Sequence, residues 1–261
     1  MNIGVSTASY YPLETELALE EIGKAGVKNA EIFFNAESEL KESFVNILLN
    51  IKEYYGMNIV AIHPTMSLAE PFMIFSNYQR RLDEALRKFS RYSEVATVFG
   101  AKYIILHGGR PNGILSDEEY CERYMMLKNE TRKNGVTVLQ ENVVKYRAGE
   151  IEFMRSMRDI LGDEAEFCLD IKQAIRSGYS PIELTNEFID NIHHLHISDH
   201  SLAGDCLLPL NGGFEFEKFF CMLKAKGYNG AAVIEVYNNA YRNYSEISDS
   251  YKKVNKIFNK L

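Results

Sequence analysis

Eight short apolar runs recur along the chain, and each is followed by a stretch of helical periodicity. The runs are Ile3–Ser6, Ala30–Phe34, Asn58–His63, Tyr103–His107, Thr137–Glu141, Glu166–Asp170, His194–Ile197 and Ala232–Val236. Runs this short, bounded by turn residues, predict strands buried on both faces. Between them apolar residues recur at the spacing of an amphipathic helix. The first such segment is Glu14–Ala25, apolar at Leu17, Leu19, Ile22 and Ala25. Glu39–Tyr55, Ser76–Phe99, Ser116–Asn134, Glu150–Leu161, Ser180–Phe188, Glu215–Ala225 and Ser245–Leu261 complete the set. Ser116-Asp117-Glu118-Glu119 has the outline of a capping box. Gly26, Gly100, Gly135 and Gly227 follow helical segments, where a left-handed residue ends the helix. Strand and helix alternating eight times predict a parallel sheet closed into one (β/α)8 barrel, a single α/β domain over residues 1–261. The other arrangement, a doubly wound open sheet, wants a Gly-rich first turn, and Ser6-Thr7-Ala8-Ser9-Tyr10-Tyr11-Pro12 has none.

Composition narrows the partners. The chain carries 29 Lys and Arg against 36 Asp and Glu, a formal charge of −7. A phosphate backbone favours a basic surface, so no nucleic-acid partner is expected. The apolar runs are strand-length, far short of the roughly 18 residues of a membrane span, and no membrane association is expected. Met1-Asn2-Ile3-Gly4-Val5 lacks a basic n-region and a long apolar h-region, so no signal peptide is expected either. The four cysteines are widely spaced with no CxxC pair, which reads as free thiols in a reducing cytoplasm. A homo-oligomer is left open.

The chemistry lies where the strands end. In a barrel of this kind reactive groups collect at the C-terminal ends of the strands. Here those ends carry His63, His107, Glu141, Asp170, His196 and Glu235. Alternation along strand five puts Leu139 and Thr137 beneath Glu141, and sends Val138 and Gln140 toward the helices, where Gln140 fits poorly. Strands five to eight are neighbours, so Glu141, Asp170, His196 and Glu235 converge. Three carboxylates at one point repel unless they are protonated or neutralised. One divalent ion would reduce their charge from −3 to −1. Three oxygen ligands and one imidazole suit Mn²⁺ first, with Mg²⁺, Co²⁺ or Zn²⁺ also compatible.

Other residues carry two readings each. His63 and His107 either contact substrate hydroxyls or are core histidines bonded to backbone carbonyls. His194 shares a face with His196, one layer below, and either orients a carboxylate ligand from behind or is simply buried and satisfied. Lys172 meets an anionic substrate or is a solvated loop residue. Glu31 faces the mouth or forms a salt bridge. The Gly108-Gly109-Arg110 turn lets backbone approach a substrate or is only a turn. Tyr10 and Tyr11 wall a pocket or pack elsewhere.

The chain resembles the xylose-isomerase-like barrels, a group of sugar-phosphate isomerases and epimerases together with the endonuclease-IV type of enzyme. The resemblance rests on Ala61-Ile62-His63-Pro64, Ile105-Leu106-His107-Gly108-Gly109, Leu139-Gln140-Glu141-Asn142, Cys168-Leu169-Asp170, His194-Leu195-His196-Ile197-Ser198-Asp199 and Val233-Ile234-Glu235-Val236, in the family's order. It implies that Glu141, Asp170, His196 and Glu235 bind one metal. It also implies that Glu141 and Glu235 act as acid and base on a small sugar-like substrate, through an enediolate. The endonuclease branch needs further histidines for three zinc ions. This chain has Gln173 and Leu207 at two of those places, which speaks against a metal-dependent phosphodiester hydrolase. Many epimerases place a substrate-contacting histidine where Gln173 stands, so Gln173 is the substrate-binding candidate at that position and the substrate is left open. A non-catalytic sugar-binding barrel is the third alternative.

Overall fold

The computed structural model describes residues 1–202 and 204–261. Its strands are β1 Asn2–Ser6, β2 Asn29–Phe33, β3 Asn58–His63, β4 Tyr103–Leu106, β5 Thr137–Glu141, β6 Phe167–Asp170, β7 Ile192–Ile197, β8 Asp199–Ser201, β9 Gly204–Leu207 and β10 Ala231–Ile234. Eight of them close a parallel barrel in the order β1-β10-β7-β6-β5-β4-β3-β2. Closure is made by β1, which pairs Asn2 with Ala231 on one side and Val5 with Ala30 on the other. This is the single (β/α)8 barrel that the alternation predicts. The remaining two strands form a small antiparallel hairpin after β7.

The helices are α1 Thr15–Lys24, α2 Glu42–Tyr55, α3 Glu70–Met73, α4 Gln79–Phe99, α5 Asp117–Arg132, α6 Ile151–Leu161, α7 Ile171–Arg176, α8 Pro181–Glu187, α9 Phe216–Ala225 and α10 Tyr244–Phe258. The Ser116 hydroxyl accepts from the Glu119 amide and the Glu119 carboxylate from the Ser116 amide, so the capping box at α5 forms in full. Two short helices, α3 and α7, and the β8–β9 hairpin are additions that periodicity does not reveal. Each lies on a loop at the C-terminal end of a strand, where the site is built.

Two apolar layers hold the barrel. The larger packs the outward strand residues, such as Ile104, Val138, Leu169, Leu195 and Ile234, against the helices. Gln140 points into this layer and is satisfied there. Its Oε1 accepts from the Tyr120 hydroxyl at 2.7 Å, and its Nε2 donates to the carbonyls of Leu106 (3.2 Å) and His107 (2.9 Å). The smaller layer, Ala61, Ile105, Leu139 and Cys168, fills the barrel interior. All four cysteines are free thiols. Among the described residues, no helix is long and apolar enough to cross a membrane.

Candidate metal centre and substrate pocket

Strand alternation places the site. Two residues beyond Ala61, Ile105, Leu139 and Cys168, the same inward face presents His63, His107, Glu141 and Asp170. In the same way β7 presents His194 and then His196, and β10 leads from Val233 to Glu235.

Asp170 is fixed from two sides. Its Oδ1 caps α7 by accepting from the Gln173 amide at 3.0 Å. The Asn142 side chain brackets its backbone, accepting from the Asp170 amide at 2.7 Å and donating to its carbonyl at 3.1 Å. Oδ2 is left to face inward, 3.8 Å from Nδ1 of His196. That same Nδ1 is 3.3 Å from Glu141 Oε1 and 3.5 Å from Glu235 Oε2. The candidate ligand atoms of Glu141, Asp170, His196 and Glu235 all lie within 4.8 Å of one another.

Glu31 turns His196 toward that point. Its Oε2 is 3.0 Å from Nε2 of both His196 and His194, and its Oε1 accepts from the Ser6 hydroxyl at 3.0 Å. A carboxylate on the far nitrogen of an imidazole fixes the ring and leaves the near nitrogen for a metal. His194 thus steadies Glu31 and meets the His196 ring edge-on, 5.2 Å between centroids. Burial pushes the Glu31 carboxyl up, but the charge on His196 and the hydrogen bonds from both imidazoles hold it well below the ordinary range.

His63 and His107 border Glu141. Their Nε2 atoms are 3.0 Å apart, and Nε2 of His107 comes within 3.1 Å of Glu141 Oε2. Among the described residues that oxygen is buried without a hydrogen-bond partner. A buried carboxylate oxygen in that state is costly. The donor set and this orphaned oxygen fit a bound divalent ion. Burial raises the Glu141 carboxyl, but His107, His196 and His63 together hold it well below the ordinary value. Burial also raises Glu235, and His196 and Lys172 outweigh it. Asp170 goes the other way: burial, with Glu141 and Glu235 nearby, overcomes Lys172 and pushes it up to about 6.

Lys172 is not solvated; it lines the pocket while its ammonium is held by carboxylates. It is 2 % exposed, and its Nζ lies 2.6 Å from Asp170 Oδ2 and 3.1 Å from Glu235 Oε2. Gln173 keeps its Oε1 on the Val144 amide at 3.2 Å. Both border a cavity of about 340 Å³ above the cluster, with Glu141, Glu235, His63 and His107 at its base. Tyr11, Phe33, Val236 and Tyr237 wall it. Tyr10 is instead buried against Tyr244.

The Gly108 turn serves packing. At φ 93° a side chain there would collide with the Tyr120 hydroxyl, and its amide donates to Glu70 Oε2 at 2.7 Å. Among the described residues Glu70 Oε1 has no hydrogen-bond partner. Burial pushes this carboxyl up to about 8, against the lowering effect of the Gly108 amide. A folded value above the ordinary 4.5 means that protonated Glu70 favours the fold below 4.5, and that this stability is lost as pH rises through about 8. Glu70→Gln carries no such loss. Urea unfolding at pH 6 and pH 9 is expected to show the variant gaining about 1–3 kcal/mol on wild type across that interval. Parallel pH dependence in the two proteins would mean that Glu70 titrates normally.

Sequence reasoning did not assign a role to Asn142, although it directly follows a strand-end carboxylate. An amide there is a readable signal, since it reaches the backbone of the next strand.

Fold and site together define a (β/α)8 barrel with a carboxylate–imidazole cluster at its C-terminal mouth. The family described as xylose isomerase-like TIM barrel matches residues 19–254, and the chain belongs to it. Among solved structures, a 3-keto-D-glucoside 4-epimerase from E. coli is similar with a TM-score of 0.79 at 16% identity, over 98% of this chain and 99% of its own. A D-tagatose 3-epimerase-like protein aligns with a TM-score of 0.77 at 19% identity, over 100% and 99% of the two chains. An IolI protein with a zinc atom aligns at 0.77 and 17% identity, over 100% and 99%. At these identities the likeness is one of fold.

Proposed function

We propose that the protein is a metal-dependent isomerase or epimerase of a sugar, sugar phosphate or related polyhydroxy keto compound. The observation that carries this reading is the convergence of Glu141, Asp170, His196 and Glu235 within 4.8 Å at the base of the cavity. Its volume is at the lower end for small-molecule sites, as a single sugar requires. Sugar epimerases among the structural neighbours support the same class.

Glu141, Asp170, His196 and Glu235 would hold the ion, Mn²⁺ being the best match to the donor set. When bound, a divalent ion supplies Lewis acidity to a carbonyl and its adjacent hydroxyl. Glu141 and Glu235 both border the cavity, and each has a carboxylate oxygen in the cluster. One removes the proton alpha to the carbonyl and the other returns it, on the opposite face for epimerisation or at the neighbouring carbon for isomerisation.

Solvent-deuterium incorporation into a panel of ketoses, sugar phosphates and keto-inositols tests the reading. Label is expected in at least one substrate with Mn²⁺ present, and chelation is expected to abolish it. A Mn²⁺-loaded protein that labels none would overturn the reading. A second reading, phosphodiester hydrolysis, draws on a further group, His63, His107 and Glu141, whose ligand atoms also converge. Metal analysis separates the two. One ion per chain is expected of the isomerase, and three zinc ions would favour the hydrolase.

A further inference from the structure

The oxygens offered to a metal are already held by a side chain. Lys172 Nζ sits 2.6 Å from Asp170 Oδ2 and 3.1 Å from Glu235 Oε2. These are the two oxygens that approach His196 Nδ1, at 3.8 and 3.5 Å. A divalent ion ligated by all three would lie about 2.0–2.2 Å from each. Ion and ammonium would then share both oxygens, and two like charges would lie within a few ångströms of each other in a buried site. That arrangement is strongly unfavourable.

We propose that Lys172 is a built-in competitor for the metal: its ammonium occupies the Asp170 and Glu235 oxygens, and a divalent ion binds by displacing it into the substrate cavity. The inference rests on the metal-centre reading given above. The tether is short, since Lys172 lies in the first turn of α7, the helix that Asp170 itself caps. Its effective concentration at the cluster is therefore high. A resting place for the displaced group is at hand. Nζ already lies 5.3 Å from the centroid of the Tyr237 ring, which walls the cavity. An ammonium on a tyrosine face is favourable, and the Arg176 guanidinium, 5.2 Å from the same centroid, is neutralised by Asp205. Arg176 holds that ring in place, donating from Nη1 to the Tyr237 hydroxyl at 3.0 Å while it pairs with Asp205.

Two consequences follow. The three carboxylates are partly neutralised by a residue of the chain itself, so the fold does not depend on the ion. Once displaced, the ammonium faces the cavity, so a substrate oxygen meets a free cation only when the metal is in place. Metal and substrate binding are thereby coupled.

The test uses the full chain, stripped of metal by a chelator and titrated calorimetrically with MnCl2. Lys172→Met, which keeps much of the stem and removes the charge, is expected to bind Mn²⁺ roughly 10- to 100-fold more tightly than wild type, the scale set by removing a buried competing charge. Lys172→Arg retains the charge and is expected to stay near wild type. Thermal melting gives a second readout. Metal-free Lys172→Met is expected to melt below metal-free wild type, and saturating Mn²⁺ is expected to raise its Tm by more. If the variant does not fold without metal, it is refolded in Mn²⁺ and its affinity obtained by chelator competition. Wild type binding Mn²⁺ with Lys172→Met binding no more tightly would overturn this inference alone. Binding by neither protein would overturn the metal centre, and this inference with it.

Discussion

Glu235→Gln is expected to slow solvent-hydrogen exchange into the accepted substrate by about 10²–10⁴-fold, the usual contribution of a positioned acid or base. The expectation follows from where the carboxylate stands. Glu235 lies just past the end of β10, is 14% exposed where it lines the cavity, and turns Oε2 toward both His196 and Lys172. Gln has nearly the same shape and keeps an oxygen that can face the ion, but it has no basic oxygen to take a proton. Affinity for Mn²⁺ should therefore fall less than the exchange rate does. Measuring both on one preparation separates the two roles. Near wild-type exchange in the variant would remove Glu235 from the acid–base pair.

The largest effect on stability is expected at Glu31. It is fully buried and is the acceptor for His194, His196 and Ser6 together. Glu31→Gln removes the charge and puts an N–H donor among N–H donors. Breaking a buried charged contact of this kind costs about 3–5 kcal/mol, read by urea unfolding at neutral pH. The effect should reach the metal as well, since an imidazole that loses the group orienting it typically costs about 10- to 100-fold in affinity. The pH dependence has a definite sign. A carboxyl held well below 4.5 in the fold contributes stability that is present above 4.5 and lost as pH falls through the folded value. Wild type should thus lose more stability than Glu31→Gln on going into acid below 4.5. A variant within about 1 kcal/mol of wild type in the same urea unfolding would reduce Glu31 to a space-filling residue.

The barrel was legible because its two periods are local properties of the chain. Apolar residues clustered in a short run, then spaced every third or fourth position in a longer one, mark elements that bury one or both faces whatever their neighbours are. The short elements were not legible for the opposite reason. α7 begins on a cap from Asp170, a residue already committed to the site. The β8–β9 hairpin is tied down by Asp199, whose carboxylate accepts the amides of His200, Leu210, Gly212 and Phe214. Strand ends moved for the same kind of reason. The β4 ladder stops at Leu106, paired with Gln140, and His107 lies just outside it.

What the sequence determined alone was the circle of strand ends, and so the meeting of Glu141, Asp170, His196 and Glu235. Alternation of side chains along a strand fixes which residues face inward, and barrel closure brings four consecutive strands to one mouth. Tertiary structure decided what each of these residues touches. It placed Glu31 behind His196, gave Gln140 a partner in Tyr120, and laid Lys172 on Asp170 and Glu235. Those contacts depend on side-chain reach across strands and loops far apart in the chain, and charge at close range in a buried site, rather than periodicity, selects among them.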